Sequence, residues 1–381
     1  MKLNICDEFK IAVISDIHFG NGRVSAVRTY EHLSDTLYPI MDEIKLLVIN
    51  GDLFDTLLNM NSDAGFYVAM FIDDIINLAI QNKVYIRVVR GTFSHDRHQN
   101  RFFVVKDKGE HKYHNVPLVK VIDRISIEHF DELNINVLYC PDDQPHENMN
   151  DAVVDVIKAN HLETVDLLFS HGYYEHLLPK GIPHVPHNTL SFDKLSKFVT
   201  GMMINGHVHK NSVYNNKVIT CGSFERFEHD NEQPVGMWVL SASRNKLSVK
   251  WKYKFIENKG AIPFKTFPVD CYKSPEELQT VVSNYICSLE KNGYPSSDPI
   301  YIRFNGSVSG MTEWVKSNYK HVVVSEKKTT TSQDMYEEDV ISTSDDLPVI
   351  TEDNLANMVY NNIPKEANMT LEEVKEIINE L

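Results

Sequence analysis

The chain has 381 residues, 42% of them hydrophobic and 24% charged, with a net charge of −15. That length allows a large core with one or two smaller units. No apolar run nears the ~20 residues of a membrane helix, and Met1–Phe9 carries Asp7 and Glu8 where a signal peptide would be apolar, which predicts a cytoplasmic protein.

The charge is uneven. Thirteen of the 53 acidic and two of the 38 basic residues lie in Asp334–Leu381, net −11, leaving 40 and 36 elsewhere, net −4. The body is close to neutral, so a phosphate-rich substrate is not excluded. Five cysteines, odd in number and never spaced C-x-x-C, read as reduced and mostly buried thiols.

In chain order, Lys10–Ser15 predicts a buried strand that ends in Asp16-Ile17-His18, with Asp16 and His18 on one side. Ser25–Met41 predicts a helix. Leu46–Ile49 predicts the next strand, ending in Asn50-Gly51-Asp52-Leu53-Phe54-Asp55. Carboxylates crowded at a strand end are costly unless a cation neutralises them. Asn61–Gln81 predicts a helix with Phe66, Met70, Phe71, Ile75, Ile76 and Ala79 as core contacts. Val84–Val89 leads into Gly91-Thr92-Phe93-Ser94-His95-Asp96-Arg97, and Leu118–Ile127 predicts a hairpin. A short strand at Val137–Cys140 and a helix at Asp151–Ala159 follow. Val165–Phe169 then ends in Ser170-His171, and Met202–Asn205 ends in Gly206-His207-Val208-His209. A lone histidine at a strand end is usually structural. Four strand ends bearing Asp or His are the pattern of a metal site in an α/β fold.

Met237–Leu240 and Leu247–Trp251 predict closing strands. From about Ala261 a strand, a helix over Pro275–Lys291, a strand at Ile300–Phe304, a helix near Thr312–Ser317 and a strand at Val322–Val324 predict a small α+β unit. Residues 326–348 read as a flexible linker. Two short amphipathic helices follow in 349–381: Leu355, Met358 and Val359 share one face of the first. Thr370 and Glu373 form a capping box on the second, whose stripe is Leu371, Val374, Ile378 and Leu381. Faces this short need covering, by the chain's own body or by a partner protein; the linker favours a partner.

The ordered set Asp16-x-His18, Gly51-Asp52-x-x-Asp55, Gly91-x-x-Ser94-His95-Asp96, His171 and Gly206-His207-x-His209 resembles the calcineurin-like metallophosphoesterases. With Gly222-Ser223-Phe224-Glu225-Arg226-Phe227 it resembles their SbcD branch, the nuclease subunit of the SbcCD complex, over roughly residues 10 to 260. The resemblance implies a layered α/β/β/α sandwich over 1–260, a DNA-binding α+β cap over 261–325 and a C-terminal helical tail that binds an SbcC-like coiled-coil ATPase. It implies two divalent ions, typically manganese: one held by Asp16, His18, Asp52 and His209, the other by Asp52, Ser94, His171 and His207. His95 would act on the leaving oxygen, with Asp55 orienting it. Arg226 is open to two readings, a phosphate contact or a structural salt bridge. The implied activity is a DNA nuclease, exonuclease on duplex ends and endonuclease on single strands or hairpins, working as a homodimer in a bacterial or phage-infected cell. The metal motifs alone allow a stand-alone phosphodiesterase or phosphatase, against which the cap unit, the linker and the helix pair argue, and a non-catalytic scaffold at DNA ends is a third reading.

One position departs from the family, which usually has Gly-Asn-His followed by Asp or Glu, with Asn on the second ion. Here Thr92-Phe93-Ser94 separate Gly91 from His95. Weak ligation by Ser94, ligation through water, or another group in its place all stay open; His98 and Asn100 are near in sequence.

Overall fold

The computed structural model describes residues 7–103, 105–106, 113–114, 118–142, 144–146, 148–178, 186, 188–244, 249–306 and 309–327. The apolar runs become strands that are buried on both faces. β1 (Glu8–Ile14), β2 (Leu46–Asn50), β3 (Tyr85–Val89) and β4 (Val119–Ile122) lie parallel in that order. A second sheet takes β5 (Ser126–Phe130), β6 (Ile135–Cys140), β7 (Val165–His171), β8 (Val199–Gly206), β9 (Ser212–Tyr214) and β10 (Val218–Thr220) in the order β9-β10-β8-β7-β6-β5. It is parallel inside and antiparallel at both edges. β11 (Gly236–Arg244) and β12 (Val249–Glu257) then extend the first sheet beyond β1, antiparallel.

Side chains alternate across each strand, and this sorts them into three cores. Ala12, Ile14, Leu47 and Ile49 pack on Leu33 of the helix Ala26–Thr36, on Leu37 just past its end, and on Val68 and Phe71 of the helix Asp63–Asn82. Their neighbours Ile11, Val13, Leu46 and Val48 face Leu167, Phe169 and Ile204 of the other sheet. Leu138, Leu168 and Met203 on the far side meet Val153 and Ile157 of the helix Met149–Ala159. The order is helix, sheet, sheet, helix, as predicted.

β13 (Phe264–Pro268), β14 (Ile300–Asn305) and β15 (Val322–Lys327) form a separate parallel sheet. It packs with the helices Pro275–Lys291 and Met311–Asn318 around Leu278, Val282, Ile302 and Val315. Ser274 caps the first of these by accepting from the Glu277 N–H, and proline opens it. This unit and the sandwich form one compact body, Met1–Lys327. Arg28 of the sandwich bonds Asp298 of the smaller unit.

Four expectations differ from the structure. The stretch 118–127 is no hairpin: β4 joins the first sheet and β5 the second, so Asp123–Ile125 carries the chain between layers. Phe66 is 57% exposed and is not a core contact. The start assigned to the linker is strand, because β15 runs through Lys327; the rest of the linker, and the helix pair of 349–381, lie outside the described residues. Of the four described cysteines, Cys140 and Cys221 are buried, but Cys271 and Cys287 are exposed.

A buried cation ties the two sheets together at β3 and β5. The Arg87 guanidinium, 1% exposed, binds Glu128 through two bonds of 2.6 and 2.8 Å and donates to the carbonyls of Ile86 and Leu118. Removing one partner of such a pair strands the other charge. Glu128→Ala is therefore expected to destabilise the fold by about 3 kcal/mol in a denaturant titration; an unchanged midpoint would show that solvent already screens the pair.

Candidate metal centre

The Asp and His residues predicted as ligands converge at the C-terminal ends of β1, β2, β7 and β8. The backbone there is strained. Ten described non-glycine residues have positive φ, and four of them are Asp16 (51°), His18 (52°), Asp52 (50°) and His207 (74°). Such conformations cost of order 1–3 kcal/mol each and persist where the surroundings impose them, most often at functional sites. Two glycines make the room. Gly51, with φ of 91°, would bring a Cβ to 2.0 Å from His171 Nδ1, and a Cβ on Gly91 would stand 2.2 Å from the Asp52 amide nitrogen.

Three clusters result, one of them His18, Asp55 and His95; the other two consist wholly of predicted ligands. Asp16, His18 and His209 place ligand atoms within 4.8 Å of one another, and Asp52, His171 and His207 do the same. The Asp52 carboxylate faces both: Oδ2 lies 3.2 Å from His171 Nε2 and 4.0 Å from His18 Nε2. Neighbouring groups aim each ligand. Asp16 Oδ2 accepts from the Ser15 hydroxyl and the His207 N–H (3.1 Å), which leaves Oδ1 buried without a hydrogen-bond partner. His171 Nδ1 lies 2.8 Å from the Asn50 carbonyl, so it donates there and turns Nε2, also without a hydrogen-bond partner, toward Asp52. His18 Nδ1 lies 3.2 Å from Asp55 Oδ1, which turns its Nε2 to within 3.2 Å of His209 Nε2.

The electrostatics fit cations. Burial pushes the Asp16 carboxyl up to about 6, and the charge of Asp52 adds to this. Burial also opposes ionisation of Asp52, but His171 above all holds it well below the usual carboxylate range. His171 is raised by Asp52 against the opposing effect of burial. Burial pushes His207 down to about 4 and His209 to about 3, with His171 and His18 respectively adding repulsion; both rings are neutral at pH 7 and can donate a lone pair. Orphaned carboxylate and imidazole atoms converging on buried space are the donor set of divalent transition metals such as manganese, iron or zinc.

The structure separates the residues around His95. Ser94 is exposed, on the helical turn Phe93–Asp96. The Thr92 hydroxyl takes the position expected of it, 3.2 Å from Asp52 Oδ2 and 3.3 Å from His207 Nδ1, while the Thr92 N–H donates to Asp52 Oδ1 at 2.6 Å. The reason is geometric: the residue directly after Gly91 meets Asp52, and the next two ride out on the helical turn Phe93–Asp96. His98 is exposed, and the Asn100 amide donates to Asp96. Asp55 orients His95 through its backbone, since His95 Nδ1 bonds the Asp55 carbonyl; its carboxylate serves His18 and Asn21 instead. Arg226 lies away from the clusters. It donates to the carbonyls of Gln233 and Ala261, in a cleft of about 970 Å³ between the sandwich and the smaller unit. Among the described residues no carboxylate pairs with it, and its two carbonyl bonds tie the Gln233 loop to Ala261.

Besides Thr92, sequence reasoning missed Asp96. It is wholly buried and accepts from the backbone N–H groups of Asp52, Phe54 and Gly91 and from the Asn100 amide. It thus pins the loop after β2 to the loop after β3. The signal was present as the acidic residue directly after His95. Asp96→Ala is expected to cost about 3 kcal/mol of stability and tenfold or more in metal affinity. Chemical denaturation and a metal titration on the same variant check this; wild-type values in both would remove the assigned role.

No model of a known protein family matches the chain, and no curated protein matches it. Among solved structures the chain is similar to GAP50, the anchor in the inner membrane complex of Plasmodium, with a TM-score of 0.40 and 13% identity over 67% of this chain and 86% of that one. It is also similar to Vacuolar Protein Sorting 29 from Cryptosporidium parvum, with a TM-score of 0.30 and 12% identity over 66% of this chain and all of that one. Likeness at these scores carries no argument about function. Among the described residues no helix is long and apolar enough to cross a membrane. What the structure provides is a mixed α/β body in which His and Asp clusters able to bind metal ions sit at the strand ends.

Proposed function

We propose that this chain is a two-metal phosphodiesterase that cleaves DNA, with manganese as the working ion. The observation that carries the proposal is the Asp52 carboxylate, which belongs to one cluster with His171 and His207 and also faces His18 of the other. Asp16, His18 and His209 would hold one ion; His171, His207 and the Thr92 hydroxyl would hold the other; Asp52 would serve both. When bound, such a pair supplies Lewis acidity, a lowered pKa for water and neutralisation of charge on a phosphate under attack.

The chain's own residues do the rest. The rings of His18 and His95 meet edge to face with centroids 4.8 Å apart, so His95 stands at the rim of the centre. Its Nδ1 is held by the Asp55 carbonyl, which leaves Nε2 as the nitrogen offered to a substrate. Protonated there, it can donate to the leaving oxygen of a phosphodiester, the role of a general acid. The Asp55 carboxylate fixes the ring of His18.

The same reading extends to DNA end processing with an SbcC-like ATPase bound through residues 349–381. It also extends to a second copy of the chain paired through the sandwich, where Phe66 and Ile80 of the helix Asp63–Asn82 are more than half exposed. The full chain with manganese is expected to cut a labelled DNA hairpin and a chromogenic phosphodiester, and to lose both activities to a chelator. Chromogenic turnover without DNA cleavage, even with the ATPase added, would replace the nuclease by a stand-alone phosphodiesterase. No turnover of either substrate would favour a scaffold.

A further inference from the structure

The turn that carries His95 also carries an unusual surface. Phe93 is 41% exposed and Phe102 is 45% exposed. Leu57, 64% exposed, lies close by, because Gln99 binds the Thr56 carbonyl and the Leu58 N–H through its side chain. Each ring is fixed at one edge. Phe102 meets Phe54 edge to face at 6.4 Å, and Phe93 meets His98 at 5.6 Å. Scattered exposed apolar residues need no explanation, but three of them in the two short segments that meet at His95 do.

The cations of the same segment are free to act. The chain has ten arginines. Among the described residues eight of their guanidinium groups reach a carboxylate or a carbonyl. Those of Arg97 and Arg101 reach neither, and both residues are exposed. Arg97 also has φ of 47° and ψ of −118°, a conformation an arginine adopts only at a cost. A glycine there would relieve the strain, yet the position holds a cation next to Phe93 and His95.

Aromatic planes beside unpaired guanidinium groups recognise nucleobases and phosphates together: the rings stack on a base, and the arginines take the flanking phosphates. A base inside a duplex offers no free face to a protein ring. We propose that Phe93, Phe102, Arg97 and Arg101 form a platform that captures an unstacked base of single-stranded DNA, at a frayed end or hairpin loop, beside the metal centre. The proposal deepens the nuclease reading and rests on it for the cleavage that follows capture; capture itself is measured without cleavage.

The test uses the full chain with calcium in place of manganese, and fluorescence anisotropy with a labelled oligothymidine and a blunt duplex. Phe93→Ala is expected to weaken single-strand binding about tenfold with little effect on its salt dependence. Arg97→Gln with Arg101→Gln is expected to reduce the slope of log affinity against log salt by about 1.4. Manganese-dependent turnover of the chromogenic phosphodiester should stay at the wild-type rate in both variants, which reports an intact fold and centre. Unchanged single-strand affinity in both variants, or an equal loss on the blunt duplex, would overturn the platform. A wild-type chain that binds the oligothymidine through these residues but cuts no DNA in manganese would sink the nuclease reading and leave the platform standing.

Discussion

Replacing His95 with asparagine is expected to lower manganese-dependent DNA cleavage by about a hundredfold to ten-thousandfold while the metal content stays that of the wild type. Asparagine can keep a hydrogen bond to the Asp55 carbonyl, which His95 Nδ1 now makes. It cannot hold a transferable proton near neutral pH. The variant therefore separates proton donation from ligation at a position where geometry permits either, because His95 also groups with His18 and Asp55 within 4.8 Å. A loss of metal in His95→Asn would make His95 a ligand. An unchanged rate would remove it from the chemistry. Substrates with a strongly acidic leaving group need less protonation, so the chromogenic phosphodiester should lose less rate than DNA does.

Asp52→Asn is expected to reduce bound manganese to at most one ion per chain and to bring turnover of both substrates to background. The amide oxygen can still accept from the Thr92 N–H, which holds Asp52 Oδ1 at 2.6 Å, so the loop keeps an anchor. What disappears is the negative charge that His171 and His18 face together. Without it, two cations at neighbouring sites repel each other with no shared counter-charge. Metal analysis by emission spectrometry after dialysis reads the stoichiometry, and the unfolding temperature reports the fold. Two ions per chain in Asp52→Asn would show that Asp52 is not the shared ligand.

Much of the frame was legible because burial writes itself into composition. Runs such as Leu46–Ile49 have no polar face, so they had to be central strands, and each ended on an Asp or His that solvent-facing loops have no reason to repeat. The pattern failed where two structures share one signature. Leu118–Ile127 alternates as a hairpin does, but each half pairs with a different sheet, and only partners distant in sequence decide which. Ser94 and Thr92 are both hydroxyl residues after Gly91. Which one meets Asp52 depends on where the helical turn begins, and that is set by Asp96 anchoring the turn from below. Asp96 itself runs against expectation for its type, since carboxylates are rarely buried wholly. Arg226 stood in a run that resembles a nuclease motif, yet its carbonyl partners come from Gln233 and Ala261, and neither contact has a local sequence signal.

A manganese titration of the full chain, followed by electron paramagnetic resonance, bears most directly on the centre. If Asp52 joins the two clusters, about two ions bind per chain and their spins couple through the shared carboxylate, giving the broadened signal of a dinuclear site. A single uncoupled ion, or none, would contradict a two-metal centre at Asp16, His18, Asp52, His171, His207 and His209.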